Sequence, residues 1–247
     1  MKLALIGKEL SHSFSQNYFN SKFQKAGENH SYENLEFISE EYLIEAWPQL
    51  KIKYSGFNVT IPYKKTILAL LDEIDSHANQ IAAVNCIAIK DGQAFGYNTD
   101  YLGFYESVNK KSFAKDRKAL ILGNGGASHA VKYAIDKYLS MPLDIMSRDA
   151  SLNVWNDLEY LDLSAYSLIV NATPIGMYPL LDDFPRLNYS TALHDTLFVD
   201  LIYNPIITKY LEKADAQGCI ILNGLPMLHR QAELSWEIWK EKNFLKY

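Results

Sequence analysis

The chain has 247 residues, 48% of them hydrophobic and 21% charged, with a formal net charge of −5; that size and balance can bury a sizeable core in one large domain or two small ones. It carries no basic stripe of the kind nucleic-acid binding requires and no apolar run long enough to span a membrane. Its two cysteines, Cys86 and Cys219, are too far apart in sequence for metal-ligand spacing and too few for a disulfide scaffold, which points to a reducing, cytoplasmic setting without a bound metal.

The first apolar run, residues 3–6, imitates the start of a signal peptide but stops well short of an h-region, so it reads as a buried strand. A helix is expected over 16–25, a strand over 32–37, a helix over 40–50 and a strand over 56–59. Pro62 suits the first turn of a helix, because its missing N–H needs no partner there, so a helix is predicted to open at that point. Asp91-Gly92 between the runs 86–89 and 93–96 is a hairpin signal. From Lys118 the pattern becomes a cleaner strand–helix repeat, with strands at 118–122, 143–147, 168–171, 197–201 and 219–222. Such alternation argues for a parallel α/β sheet and for a domain boundary near residue 102. An amphipathic helix over 226–242 is placed to return to the first domain.

Leu120-Ile121-Leu122 runs into Gly123-Asn124-Gly125-Gly126-Ala127-Ser128, and a helical pattern continues through Tyr138. This is the strand–turn–helix setting of a dinucleotide fingerprint, in which glycines let the backbone approach a pyrophosphate at a helix N-terminus. The sixth position is Ser128 rather than Gly or Ala, and a turn that only connects strand to helix is the plainer alternative. The next strand ends at Ser147-Arg148; an Arg at this strand end suits the extra phosphate of NADP, although Asp149 follows it and a solvated loop arginine explains it equally well.

Three polar clusters interrupt the first half: Ser11-His12-Ser13-Phe14-Ser15, Asn58-Val59-Thr60-Ile61-Pro62-Tyr63-Lys64, and Asn98-Thr99-Asp100 with Asn85 on the strand before it. Together they offer the hydroxyls, amides, ammonium and carboxylate that a small polyhydroxylated acid needs. Each also has a mundane reading as a cap, a turn or a surface lysine. For Lys64, a place in the first turn of a helix beside Lys65 would depress its pKa toward a range useful for proton transfer.

These clusters, in this order, resemble the shikimate dehydrogenase family from Gly7 to Gln231. The resemblance implies an α/β chain of two domains, an N-terminal substrate domain (1–101, completed by 225–247) and a C-terminal Rossmann-type NAD(P)-binding domain (102–224), with a cleft between them. It implies that Ser13 and Ser15 hold a substrate carboxylate, that Thr60, Asn85, Tyr203 and Gln231 hold the ring, and that Lys64 and Asp100 handle the proton. It implies that Gly123, Asn124, Gly125, Gly126, Ala127, Ser147, Arg148, Thr173, Leu201 and Gly224 meet the cofactor, NADP with NAD as the alternative. The expected activity is the reversible NADPH-dependent reduction of 3-dehydroshikimate to shikimate by a monomer or homodimer acting on small molecules. His12, between the serines, reads as structural. The sequence departs from the family pattern at Gln16, where Pro is usual, at Ala82, where Gly is usual, and at Leu152, where many NADP-dependent members carry a second basic residue. A quinate/shikimate dehydrogenase using NAD therefore stays open, as does a non-catalytic nucleotide- or shikimate-binding homologue; a methylenetetrahydrofolate-type dehydrogenase should lack the serine pair.

Overall fold

The computed structural model of the chain describes residues 1–11, 13–111, 113–114, 116–147 and 153–241, with 153–157 as backbone only. The chain divides into two compact units: Met1–Thr99 with the chain from Ala232 onward, and Asp100–Gln231.

The first unit contains β1 (Lys2–Gly7), α1 (Phe14–Ala26), β2 (Ser31–Glu36), α2 (Glu40–Lys53), β3 (Gly56–Val59), β4 (Glu73–Ile74), α3 (Ser76–Ile81), β5 (Cys86–Lys90) and β6 (Gln93–Tyr97). Its sheet runs β2-β1-β3-β5-β6-β4. Strands β2, β1 and β3 are parallel, and β5 turns antiparallel to β3 and to β6. The period of two in β1 is used in full: Ala4 and Ile6 join one apolar cluster with Phe57 and Trp47, while Leu3 and Leu5 join the other with Phe19, Phe23 and Trp239. Helix α1 ends on Gly27, whose φ of 66° lets its N–H return to the last turn. At the hairpin, Asp91 (φ 52°) and Gly92 (φ 79°) both take the positive φ that a tight two-residue turn demands.

The second unit contains α4 (Asp100–Val108), β7 (Lys118–Leu122), α5 (Gly126–Ala134), β8 (Leu143–Ser147), β9 (Asn153–Val154), β10 (Tyr166–Asn171), β11 (Leu197–Asp200), α6 (Lys209–Asp215), β12 (Ile220–Leu222) and the start of α7 (Leu225–Lys240). Its sheet is parallel throughout, in the order β12-β11-β10-β7-β8-β9. The chain winds outward from β7 to β9, then restarts at β10 on the other side of β7. That reversal makes the gap beyond the C-terminal ends of β7 and β10 a topological switch point, where open α/β sheets take their ligands.

Helix α7 begins in the second unit and ends in the first. There Ala232, Trp236 and Trp239 complete the core. The Trp239 indole N–H donates to the Ile87 carbonyl at 2.9 Å. Gly56 makes this approach possible, since a Cβ there would lie 2.5 Å from the indole nitrogen.

One expectation needs correction. No helix opens at Pro62: residues 61–65 form consecutive turns, followed by a short 3-10 helix at Thr66–Leu70. Tertiary bonds shape this stretch, with the Tyr63 hydroxyl donating to the Phe37 carbonyl and the Val84 N–H donating to the Lys64 carbonyl at 2.9 Å. The helical pattern after the glycine turn does run through Tyr138, as α5 to Ala134 and then a π-helix at Ile135–Leu139. There Tyr138 stacks on Tyr105 of α4 at 4.7 Å, and Tyr133 meets Tyr101 edge-on at 5.3 Å. The connection from β9 to β10 is made of 3-10 turns, Trp155–Tyr160 and Leu163–Ala165, as its shortness requires.

Candidate active site

The register of the first sheet gathers the polar clusters on one edge. Strands β1 and β3 end there; Asn58 pairs with Cys86 at the start of β5, and Cys86 pairs with Tyr97 at the end of β6. The segments carrying Ser13 and Ser15, Thr60 and Lys64, Asn85, and Asn98 and Thr99 all leave the sheet at this edge. Asp100 follows at once, buried, as the first residue of α4.

A buried hydrogen-bond chain fixes these segments. The Tyr32 hydroxyl donates to Asn58 Oδ1 at 2.9 Å. Asn58 Nδ2 donates to the Asn85 carbonyl at 3.1 Å and to Ser235 Oγ at 2.9 Å. Asn85 Oδ1 accepts the Thr99 N–H at 2.7 Å, and Asn85 Nδ2 donates to Thr99 Oγ1 at 3.0 Å. Asn98 Nδ2 donates to the Ala83 carbonyl at 2.9 Å. Burial pushes the Tyr32 hydroxyl far above its usual pKa, so it stays a neutral donor within this chain. Satisfied buried networks of this kind hold their members in one geometry.

Ser13 caps α1, accepting the Ser15 N–H at 3.3 Å. The first turn of α1 carries no acidic residue. Negative charge is favoured at such an end. Thr60 and Lys64 are half-buried. The Thr60 N–H donates to the Ile6 carbonyl at 2.9 Å. Gly7 makes room for Thr60, because a Cβ on Gly7 would lie 2.7 Å from the threonine methyl. Lys64 sits in the turns just before the 3-10 helix at Thr66–Leu70, not in the first turn of a helix.

In the second unit, Gly123, Ser147, Thr173, Leu201 and Gly224 all lie at the C-terminal ends of strands. Gly123 has φ +110°, and a Cβ on it would crowd Thr173 Cγ2 at 3.1 Å. Gly125, by contrast, has ordinary extended backbone (φ −89°) and nothing within 4 Å of a built Cβ. It is exposed beside Asn124 and caps α5 without a side chain. An uncapped helix N-terminus behind bare backbone is what a pyrophosphate requires, so these residues fit a dinucleotide. The sixth position is explained locally: buried Ser128 Oγ donates to the Gly123 carbonyl at 2.6 Å and closes the turn. Gly224 has a packing reason of its own, since a Cβ there would lie 2.2 Å from the Leu201 carbonyl oxygen.

Gln231 lies on α7, which α4 approaches closely. A Cβ on Gly103 would sit 3.2 Å from Gln231 Cβ, and Arg230 Nε donates to Glu106 at 2.6 Å. Tyr203 is half-buried, two residues after Leu201. Arg148, His12 and Leu152 lie outside the described residues.

Ala82 caps α3 in the left-handed region with φ 56°. Glycine is free of strain there and alanine is not. Ala82→Gly is expected to stabilise the protein by about 0.5–1 kcal/mol, read as a melting temperature higher by roughly 2 °C.

Sequence reasoning passed over Tyr32 and Ser235, which hold Asn58. Ser235 left a trace, a hydroxyl on the apolar face of α7 between Leu234 and Trp236. Tyr32 left none, because it reaches Asn58 only once β1 has paired with β2 on one side and β3 on the other.

Residues 5–87 match the family model described as the shikimate dehydrogenase substrate binding domain. A shikimate dehydrogenase (NADP(+)) of Methanococcus maripaludis is 36% identical over 97% of this chain and 91% of its own length. Among solved structures, a shikimate dehydrogenase in complex with NADP+ superposes with a TM-score of 0.85 at 33% identity, covering 97% of this chain and 89% of that one. The Thermus thermophilus enzyme in complex with NADP(H) and shikimate gives 0.85 at 28% identity, covering 97% and 93%.

Proposed function

Because the chain belongs to the shikimate dehydrogenase family, we propose that it is an NADP-dependent oxidoreductase that interconverts 3-dehydroshikimate and shikimate in aromatic amino-acid biosynthesis. The observation that carries this reading is the single sheet edge from which Ser13, Ser15, Thr60, Lys64, Asn85 and Thr99 all emerge, with Asp100 next in sequence. The first unit supplies most of the substrate contacts, and the second takes the cofactor and adds Asp100, Tyr203 and Gln231 toward the substrate. Ser13, Ser15 and the α1 N-terminus hold the substrate carboxylate. Thr60, Asn85, Tyr203 and Gln231 hold the ring and its hydroxyls, which fixes the reacting carbon in place.

Bound NADPH supplies the hydride to the carbonyl carbon. Lys64 and Asp100 supply the matching proton at the carbonyl oxygen, and take it back in the oxidative direction. Gly123, Asn124, Gly125, Gly126 and Ala127 seat the pyrophosphate, Ser147 and Arg148 the adenosine ribose and its phosphate, and Thr173, Leu201 and Gly224 the nicotinamide side. The enzyme works in the cytoplasm on small molecules, as a monomer or homodimer. Among the described residues no helix is long and apolar enough to cross a membrane.

The test follows reduced-nicotinamide absorbance with purified protein, shikimate or quinate, and NADP⁺ or NAD⁺. Turnover is expected with shikimate and NADP⁺ above the other three pairs. A preference for quinate with NAD⁺ would move the chain to the quinate/shikimate branch, and no turnover with any pair would make it a binding protein.

A further inference from the structure

At the end of β11, Asp200 lies fully buried with no cation among its hydrogen-bond partners. It pairs in register with Asn171 at the end of β10. Its carboxylate accepts from three segments. Asn171 Nδ2 donates to Oδ1 at 3.1 Å, the Ile202 N–H donates to Oδ1 at 3.0 Å, and Thr208 Oγ1 donates to Oδ2 at 2.6 Å. Asn171 passes the constraint on: its Oδ1 accepts from the Thr173 hydroxyl at 2.6 Å and from the Thr173 N–H at 3.1 Å. Thr208 in turn caps α6.

Burial pushes the Asp200 carboxyl up to about 6, against the opposing pull of Thr208, Ile202 and Asn171. A buried carboxylate is a costly way to hold a loop unless several donors must converge on one acceptor-only group. Here they do, and the segments they tie are those after β10 and β11, at the switch-point edge.

We propose that Asp200 is a positioning residue for cofactor binding, fixing the Thr173 turn and residues 201–203 in one arrangement through Asn171, Ile202 and Thr208. The proposal rests on the reading of this edge as the nicotinamide nucleotide site. Asp200→Ala removes all three acceptor contacts. Asp200→Asn keeps Oδ1 for Asn171 and Ile202, and its amide can donate to the Thr208 hydroxyl, which accepts as readily as it donates.

The measurement is NADPH affinity by fluorescence titration, well below each variant's melting temperature. Asp200→Ala is expected to weaken NADPH about 10-fold, and Asp200→Asn to restore it to within about 2-fold of the wild type. A purely structural role would lower the melting temperature of the alanine variant and leave the affinity of its folded form unchanged, and that result would overturn the proposal. Should the alanine variant not fold, Thr208→Val carries the test: about 3-fold weaker binding supports the role, and unchanged affinity refutes it. Wild-type protein that binds no NADPH would instead remove the functional reading itself.

Discussion

Lys64→Ala is expected to lower kcat for shikimate oxidation by about 10²- to 10⁴-fold, the usual contribution of a positioned proton-transfer group. Shikimate KM should change little, because the carboxylate and ring contacts belong to other residues. Lys64 is half-buried in a turn, and its backbone carbonyl, which accepts the Val84 N–H, keeps that bond in the variant. Circular dichroism should therefore show an intact fold. An intact variant retaining more than about a third of wild-type kcat would remove Lys64 from the proton path.

The second large effect separates two glycines two residues apart. Gly125→Val has open space for its side chain and an unstrained φ of −89°. It should leave the melting temperature where it is and weaken NADP binding by about 10-fold or more, because the new side chain stands where the pyrophosphate must approach. Gly123→Ala should do the reverse. With φ +110° and Thr173 Cγ2 only 3.1 Å from the new Cβ, it should cost about 1–3 kcal/mol, a fall in melting temperature of roughly 3–10 °C. Thermal denaturation and NADPH titration on both variants read out the two axes. If Gly125→Val binds NADPH as tightly as the wild type, the turn is a connector and not the cofactor seat.

How much of this was legible in advance depends on the range of the interactions involved. Leu3 to Ile6 alternate between two clusters, and Asp91-Gly92 takes two positive φ values, because strand period and turn chemistry are written within a few residues. The glycine turn was readable for the same reason. Pro62 misled, because its helix preference is local whereas the bonds from Tyr63 to Phe37 and from Val84 to Lys64 are not. The two-residue strand β4 and the short α3 were too brief to show a period. Ser13 was read both as a cap and as a ligand, and the structure gives it the first role without removing it from the edge where the second would be exercised. Asp200 could not have been singled out, since its partners at 171 and 208 reach it only once β10 and β11 have paired.

The route of α7 has a consequence for synthesis. The ribosome delivers Phe19, Phe23 and Tyr32 early, but Trp236 and Trp239, which pack against them, emerge only after all of Asp100–Gln231 has been made. At about 5–20 residues per second, the first unit waits on the order of ten seconds with that apolar face uncovered while the second unit can fold as it appears. The nascent chain thus completes its second unit first. Until α7 arrives, the face formed by Phe19, Phe23 and Tyr32 lacks its indole cover, and uncovered apolar surface of this kind favours aggregation.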